Sequence, residues 1–317
     1  MIHDELVEKL FSNNHRAVAR SISIIESDNS TATELLKTIY VRVGNAYRIG
    51  VTGPPGAGKS TITNQLTKLY RQQNKKVGIV AVDPTSPFTG GALLGDRVRM
   101  SEIGMDEGVF IRSMATRGSL GGLSKRAIDA ADVLDSAGFD LIIFETVGVG
   151  QSELDIAEAA DTTVVVLVPE SGDAVQAMKA GLMEIADFIV MNKSDRPGSE
   201  QAIASLQTIL MMRDHDEKSW MMNIIKTIAS ENKGINEISK EIERHKNYIT
   251  ANQLFIKNRE RRMKKRIKDI VENKIKEELW RSSSEAYLNS SLEKVVFGNL
   301  SPYHIAEKIV SNFKTQT

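Results

Sequence analysis

Seven short runs rich in valine and isoleucine mark the middle of the chain: RIGVTG, KVGIVAVD, GVFIRSM, DLIIFET, TTVVVLV, DFIVMNK and MNIIKTIA. They lack the strict apolar–polar alternation of a half-exposed sheet, so they predict strands buried on both faces. Longer helix-period segments separate them. That alternation predicts βαβ units and a mainly parallel sheet over residues 46–248. On either side the period changes. In HRAVARSISIIES, Ala17, Ile22 and Ile25 fall near helical spacing, and residues 1–45 read as a helical extension. After residue 249 the stripe Ile256, Met263, Ile267, Ile270, Val271, Ile275 and Leu279 predicts one long helix. The closing LSPYHIAEKIVSNF predicts another, with Ser301 at the cap and Pro302 in the first turn.

The length, 317 residues, suits about two structural units. Lysine plus arginine and aspartate plus glutamate number 41 each, so net charge names no partner. Cysteine is absent, which excludes disulfides and thiolate metal sites and fits a reducing, cytoplasmic setting. The mixed, acidic start MIHDELVEKLF is unlike a signal peptide. The longest apolar run, VVVLV at 164–168, is far short of a membrane span. The basic segment 257–268 lacks interleaved stacking aromatics and is broken by Glu260. It therefore reads as the solvated face of a dimerisation arm rather than a nucleic-acid site. Met211, Met212, Met221 and Met222 read as filler in a core or helix contact.

The first strand runs into GPPGAGKST, residues 53–61. Gly53, Pro54, Pro55, Gly56, Ala57 and Gly58 form a loop whose backbone N–H groups can turn inward around phosphate oxygens. Lys59 reaches the outer phosphates, the Ser60 hydroxyl suits Mg2+, and Thr61 continues the helix that points its positive end at the same charge. After the sixth strand comes Asn192-Lys193-Ser194-Asp195. A carboxylate here accepts two hydrogen bonds from guanine and finds no partner on adenine, a discrimination of ~10^4 or more. Asn192 would brace the loop and Lys193 would cover the base. Ala229 and Ser230, after the seventh strand, can offer N–H groups to the guanine carbonyl.

Three carboxylates follow strands or loops nearby: Asp83, Asp96 and Glu145. They are candidates to surround Mg2+, some through water. Asp96 also fits as the cap of a helix over 97–103. Residues 84–99 read as a nucleotide-dependent switch. Glu145 begins ETVG, where regulatory GTPases carry aspartate; its longer arm would reach the metal through water while the Gly148 N–H meets the γ-phosphate. Gln151 is a candidate to orient the attacking water. Arg97, Arg99, Arg112 and Arg117 are candidate arginine fingers, worth ~10^3–10^5 in rate.

Taken in order, GPPGAGKS, VDPTSP, GGALLGDRVRM, FIRSMATRGSLGGL, ETVGVGQSE and NKSD resemble the motifs of the MeaB/ArgK family of P-loop GTPases, SIMIBI class. The likeness extends over nearly the whole chain. It implies an α/β P-loop fold and a homodimeric, Mg2+-dependent GTPase. The implied client is an adenosylcobalamin-dependent acyl-CoA mutase, usually methylmalonyl-CoA mutase, whose cofactor loading the GTPase gates. It places Lys59, Asp83, Asp96 and Glu145 in the catalytic magnesium site. It also implies a further switch at 169–181, with Gln176 and Lys179 as coupling residues. Relatives have also been labelled kinases or ATPases of lysine/arginine/ornithine transport, an alternative that NKSD opposes. A nickel-insertion GTPase would want a histidine-rich tract that this chain lacks.

Overall fold

The computed structural model describes residues 2–27, 30–83, 103–115, 125–146, 152–169, 181–212 and 219–316. Seven strands form one parallel sheet: β1 (Tyr47–Thr52), β2 (Val77–Asp83), β3 (Val109–Ala115), β4 (Leu141–Thr146), β5 (Thr162–Leu167), β6 (Phe188–Met191) and β7 (Ile224–Lys226). Their order is β3-β2-β4-β1-β5-β6-β7, with the first strand in the middle. The seven apolar runs are these strands.

Burial on both faces explains why the runs are continuous. Val77, Ile79, Ile49, Val51, Ile143, Val164, Val166, Phe188 and Val190 feed one core, which packs under the helices α4 (Lys59–Gln72) and α9 (Ile235–Ala251). Their neighbours Val80, Val82, Ile142 and Phe144 point to the other face. There they meet α1 (Ile2–Phe11), α2 (His15–Glu26), α3 (Ser30–Ile39) and α5 (Lys125–Ser136). Val165, Leu167, Ile189 and Met191 form a third cluster with α7 (Leu182–Ile185) and α8 (Ser199–Met211). A helix α6 (Ser152–Ala159) precedes β5.

The amino-terminal helices share a core with the sheet. Ala17, Val18, Ile22 and Ile25 of α2 are buried in it. Asn14 caps α2, its side chain accepting from the Ala17 N–H at 3.0 Å. The connection to β1 is clamped by one carboxylate: Asp135 accepts the backbone N–H groups of Gly44 (2.8 Å), Asn45 (3.1 Å) and Ala46 (3.0 Å). Arg48 supports the same helix through Asp132 at 2.7 Å and Asp135 at 3.6 Å.

The chain divides into two compact units, residues 1–255 and 256–317. Residue 249, taken above as the start of the arm, lies inside α9. The second unit holds most of α10 (Leu254–Leu279), with α11 (Ser282–Val296) and α12 (Pro302–Gln316). The long helix buries no residue; its stripe residues Ile256, Ile267, Val271 and Ile275 are exposed. Ser301 caps α12, its hydroxyl accepting the His304 N–H at 3.2 Å. The methionine expectation is corrected: Met211, Met212 and Met221 are exposed. Met222 alone of the four packs against the cores. Met211 is the last residue of α8, Met212 is its C-cap and Met221 lies in the segment before β7, so all three sit at the margins of elements. Among the described residues no helix is long and apolar enough to cross a membrane.

At the amino-terminal ends of the strands a polar line crosses the core. Tyr47 Oη lies 2.6 Å from Thr162 Oγ1, which lies 2.8 Å from His245 Nδ1. His245 Nε2 is 3.2 Å from Asp187. A neutral imidazole with Nε2–H donating to Asp187 satisfies every member. Burial, helped by the Arg244 charge, lowers the His245 pKa to about 4, against the pull of Glu241 and Asp161. The unfolded chain therefore takes up this proton first, at about pH 6.5. Stability is full above that pH and is lost as pH falls towards 4, by on the order of 3 kcal/mol. Urea unfolding at pH 7.5, 6 and 5 should show the decline, and His245→Gln should remove that part of it.

Candidate nucleotide-binding site

The site lies at the carboxyl ends of the strands, around the central β1, where open α/β sheets bind ligands. Thr52 ends β1 and the glycine loop follows at once. Gly53 has φ 135°, and a Cβ there would lie 2.1 Å from the Val166 carbonyl oxygen of β5. Only glycine lets the loop leave the sheet so close to its neighbour. Gly58 (φ 92°) caps α4 without a side chain, so the helix's first N–H groups are left to an anion. Lys59 is buried in the first turn, its Nζ donating to the carbonyls of Gly53 (2.7 Å) and Pro54 (2.9 Å). Pro55, Gly56 and Thr61 are exposed around it, and Ala57 is buried.

Strand register brings the carboxylates near the loop. Val51 of β1 pairs with Glu145 of β4, and Glu145 pairs with Ala81 of β2, two residues before Asp83. Glu145 is buried, and the Ser60 hydroxyl donates to its carboxylate. Hydroxyl and carboxylate oxygens are the donor set of a hard divalent cation, so the residues present fit Mg2+. Asp83 ends β2 as expected. Its side chain lies outside the described residues, as do Asp96, Gly148, Gln151, Gln176, Lys179, Arg97, Arg99 and Arg117. Arg112 is described and is turned elsewhere: its guanidinium donates to Glu26 and, at 3.4 Å, to Ser23 on α2. That ion pair occupies it, which removes it from the finger candidates.

The base end is held by one amide. Asn192 Nδ2 donates to the Ala57 carbonyl at 2.8 Å, and its Oδ1 accepts from the Thr227 hydroxyl and the Ala229 N–H, both at 3.1 Å. Asn192 thus ties the phosphate loop to the turn after β7. Gly58 is needed for this approach, since a Cβ there would lie 2.3 Å from Asn192 Nδ2. Lys193 adopts φ 55°, and Asp195 and Ser230 are exposed at the rim. The turn 228–233 is closed by an antiparallel bridge, Ile228 with Lys233. Glu231 beside Lys233 holds that ammonium's pKa above its ordinary value. Sequence reasoning missed Thr227 and Ser194. Thr227 fixes the Asn192 amide orientation, and its carbonyl accepts from the Ser194 N–H (3.0 Å) and hydroxyl (3.1 Å). The only available signal was a threonine where the seventh strand ends.

A parallel sheet, a glycine loop opening a helix, a buried lysine in its first turn and an Asn-Lys-Ser-Asp turn braced against that loop define a P-loop GTPase. A family profile described as "Methylmalonyl Co-A mutase-associated GTPase MeaB" matches residues 18–284. A Pyrococcus horikoshii protein named as a GTPase is 46% identical over 309 residues, 97% of each chain. The mouse methylmalonic aciduria type A homolog, a mitochondrial protein, is 30% identical over 332 residues, covering 99% of this chain and 80% of that one. A crystal structure of an LAO/AO transport system kinase superposes with a TM-score of 0.73 at 27% identity, over 98% of this chain and 97% of the other. The chain belongs to the MeaB family, and it is a GTPase.

Proposed function

We propose that this GTPase is the nucleotide-gated partner of an adenosylcobalamin-dependent acyl-CoA mutase, methylmalonyl-CoA mutase first, and couples GTP hydrolysis to loading of the mutase's cofactor. The observation that carries this reading is the MeaB match, which extends over most of the chain and whose description names that mutase.

In the mechanism, the loop 53–58 and the α4 terminus bind the phosphates through backbone N–H groups. Lys59 exchanges its loop carbonyls for phosphate oxygens and neutralises charge as the terminal phosphoryl departs. Ser60 and Glu145, with Asp83 and Asp96, would hold Mg2+, which would supply charge neutralisation to the phosphates when bound. Asp195 reads the guanine edge, Ala229 and Ser230 its carbonyl, and Asn192 keeps both ends of the nucleotide in one frame. Gly148, Gln176 and Lys179 would pass the state of the γ-phosphate to the partner. A homodimer through the arm is part of the proposal, supported by the apolar stripe that α10 leaves in water.

The test is a titration of purified mutase into GTP-loaded protein, following phosphate release. The rate should rise severalfold or more, and a GTP analogue should retain the complex. No binding in either nucleotide state would overturn the assignment. The transport-kinase label attached to a solved relative is the second reading; tighter binding of ATP than of GTP would favour it.

A further inference from the structure

Two hydroxyls at the base of the site have no part in the account above. Thr52 Oγ1 and Thr146 Oγ1 lie 3.1 Å apart, and both residues are fully buried. Thr52 is the last residue of β1 and directly precedes Gly53. Thr146 is the last residue of β4 and directly follows Glu145. The backbone pairing of the two strands ends one step earlier, at Val51 with Glu145. The hydroxyl contact is therefore an extra rung, made by side chains, at the point where one strand becomes the phosphate loop and the other leaves its metal-site carboxylate.

The row across the sheet at this level reads Val82, Thr146, Thr52, Val165. The flanking valines are as buried as the threonines. Valine has threonine's shape, so packing alone would be served by valine in all four places. A buried hydroxyl without a bond costs about 1–3 kcal/mol, so the pair must stay bonded to be tolerated. Within this row, hydroxyls occur only in the two strands that carry the loop and Glu145. Side-chain alternation puts Thr52 on the face of Gly50, where Ile156 of α6 would lie 3.0 Å from an added Cβ. Glu145 and Ser60 meet on the opposite face. One polar contact on each face thus brackets the two strand tips.

We propose that Thr52 and Thr146 are positioning residues for GTP hydrolysis: their hydroxyl rung fixes the phosphate-loop entrance against the Glu145 strand and so keeps Glu145 over Ser60. This rests on the place of Glu145 in the metal site, and Glu145→Gln is the control for it. Single-turnover GTP hydrolysis is measured against Mg2+ concentration in the full chain for Thr52→Val, Thr146→Val and the pair. Each single variant should lower the rate about tenfold and raise the half-saturating Mg2+ severalfold. GDP affinity without Mg2+ should stay near wild type, while the melting temperature should fall by a few degrees in each single variant, which leaves one buried hydroxyl unpaired, and recover in the pair. The double variant should be no worse than the poorer single one, because both break one contact. Thr146→Ser, which keeps the hydroxyl, should restore the Mg2+ dependence.

Wild-type rate and Mg2+ dependence in both valine variants would overturn the proposal, as would a loss in melting temperature with no kinetic change. If Glu145→Gln also leaves the Mg2+ dependence unchanged, the metal-site reading fails instead. Should a valine variant not fold, Thr146→Ser and Thr146→Ala repeat the comparison, and equal rates for those two would overturn the rung.

Discussion

Asp195→Asn should abolish the preference for guanine nucleotides. Asp195 stands exposed at the rim, and its loop is held from within by Asn192 and Ser194. The substitution should therefore change the chemistry of the rim and leave the frame intact. A carboxylate there would accept two hydrogen bonds from the base, each worth about 1.5–3 kcal/mol because the acceptor is charged. Replacing one oxygen by an amide nitrogen turns an acceptor into a donor and sets it against the guanine amine. GTP affinity should fall by about 10^2–10^4, while ATP binding, weak from the start, should change little. Xanthine nucleotides carry a carbonyl where guanine has the amine, so the variant should bind them better than the parent does. Calorimetric titration of the three triphosphates measures all of this. An unchanged ratio of GTP to ATP affinity would remove Asp195 from base recognition.

Lys59→Ala should lower single-turnover GTP hydrolysis by about 10^3 or more, the scale of losing one preorganised charge at a phosphoryl transition state. The lysine is buried and pinned by two loop carbonyls, so its ammonium waits where the phosphates arrive. Binding then only exchanges those two carbonyls for phosphate oxygens, and the loss should appear in the chemical step as well as in affinity. Lys59→Arg should not rescue, since a planar fork cannot replace a compact ammonium between those carbonyls. Circular dichroism should report an unchanged fold. Hydrolysis within a few fold of the parent would displace Lys59 from the catalytic group.

Much of this was legible in the chain because local pattern and tertiary demand agree. Strands buried on both faces must be continuous in apolar residues, and TTVVVLV or DFIVMNK could be little else. The glycine loop and NKSD were legible because phosphate and guanine constrain residue type position by position. What escaped notice depends on distant partners. Thr227, Thr52 and Thr146 look like ordinary β-branched strand residues; their hydroxyls matter only because another strand tip stands opposite. Arg112 read as a candidate arginine finger, yet Glu26, 86 residues earlier, pairs with it. The three exposed methionines misled because composition alone says nothing of whether a layer lies across from them.

The Asp135 clamp has a consequence for how this enzyme can be shortened. By gathering the N–H groups of residues 44–46, it sews the first three helices to the helix that backs β2 and β4. A chain begun at Ala46 would keep every residue assigned above to the nucleotide but strip the lid from Val80, Val82, Phe110 and Phe144. Such a truncation would precipitate rather than run as a minimal catalyst, and the amino-terminal segment is accordingly a wall of the enzyme, not a handle attached to it.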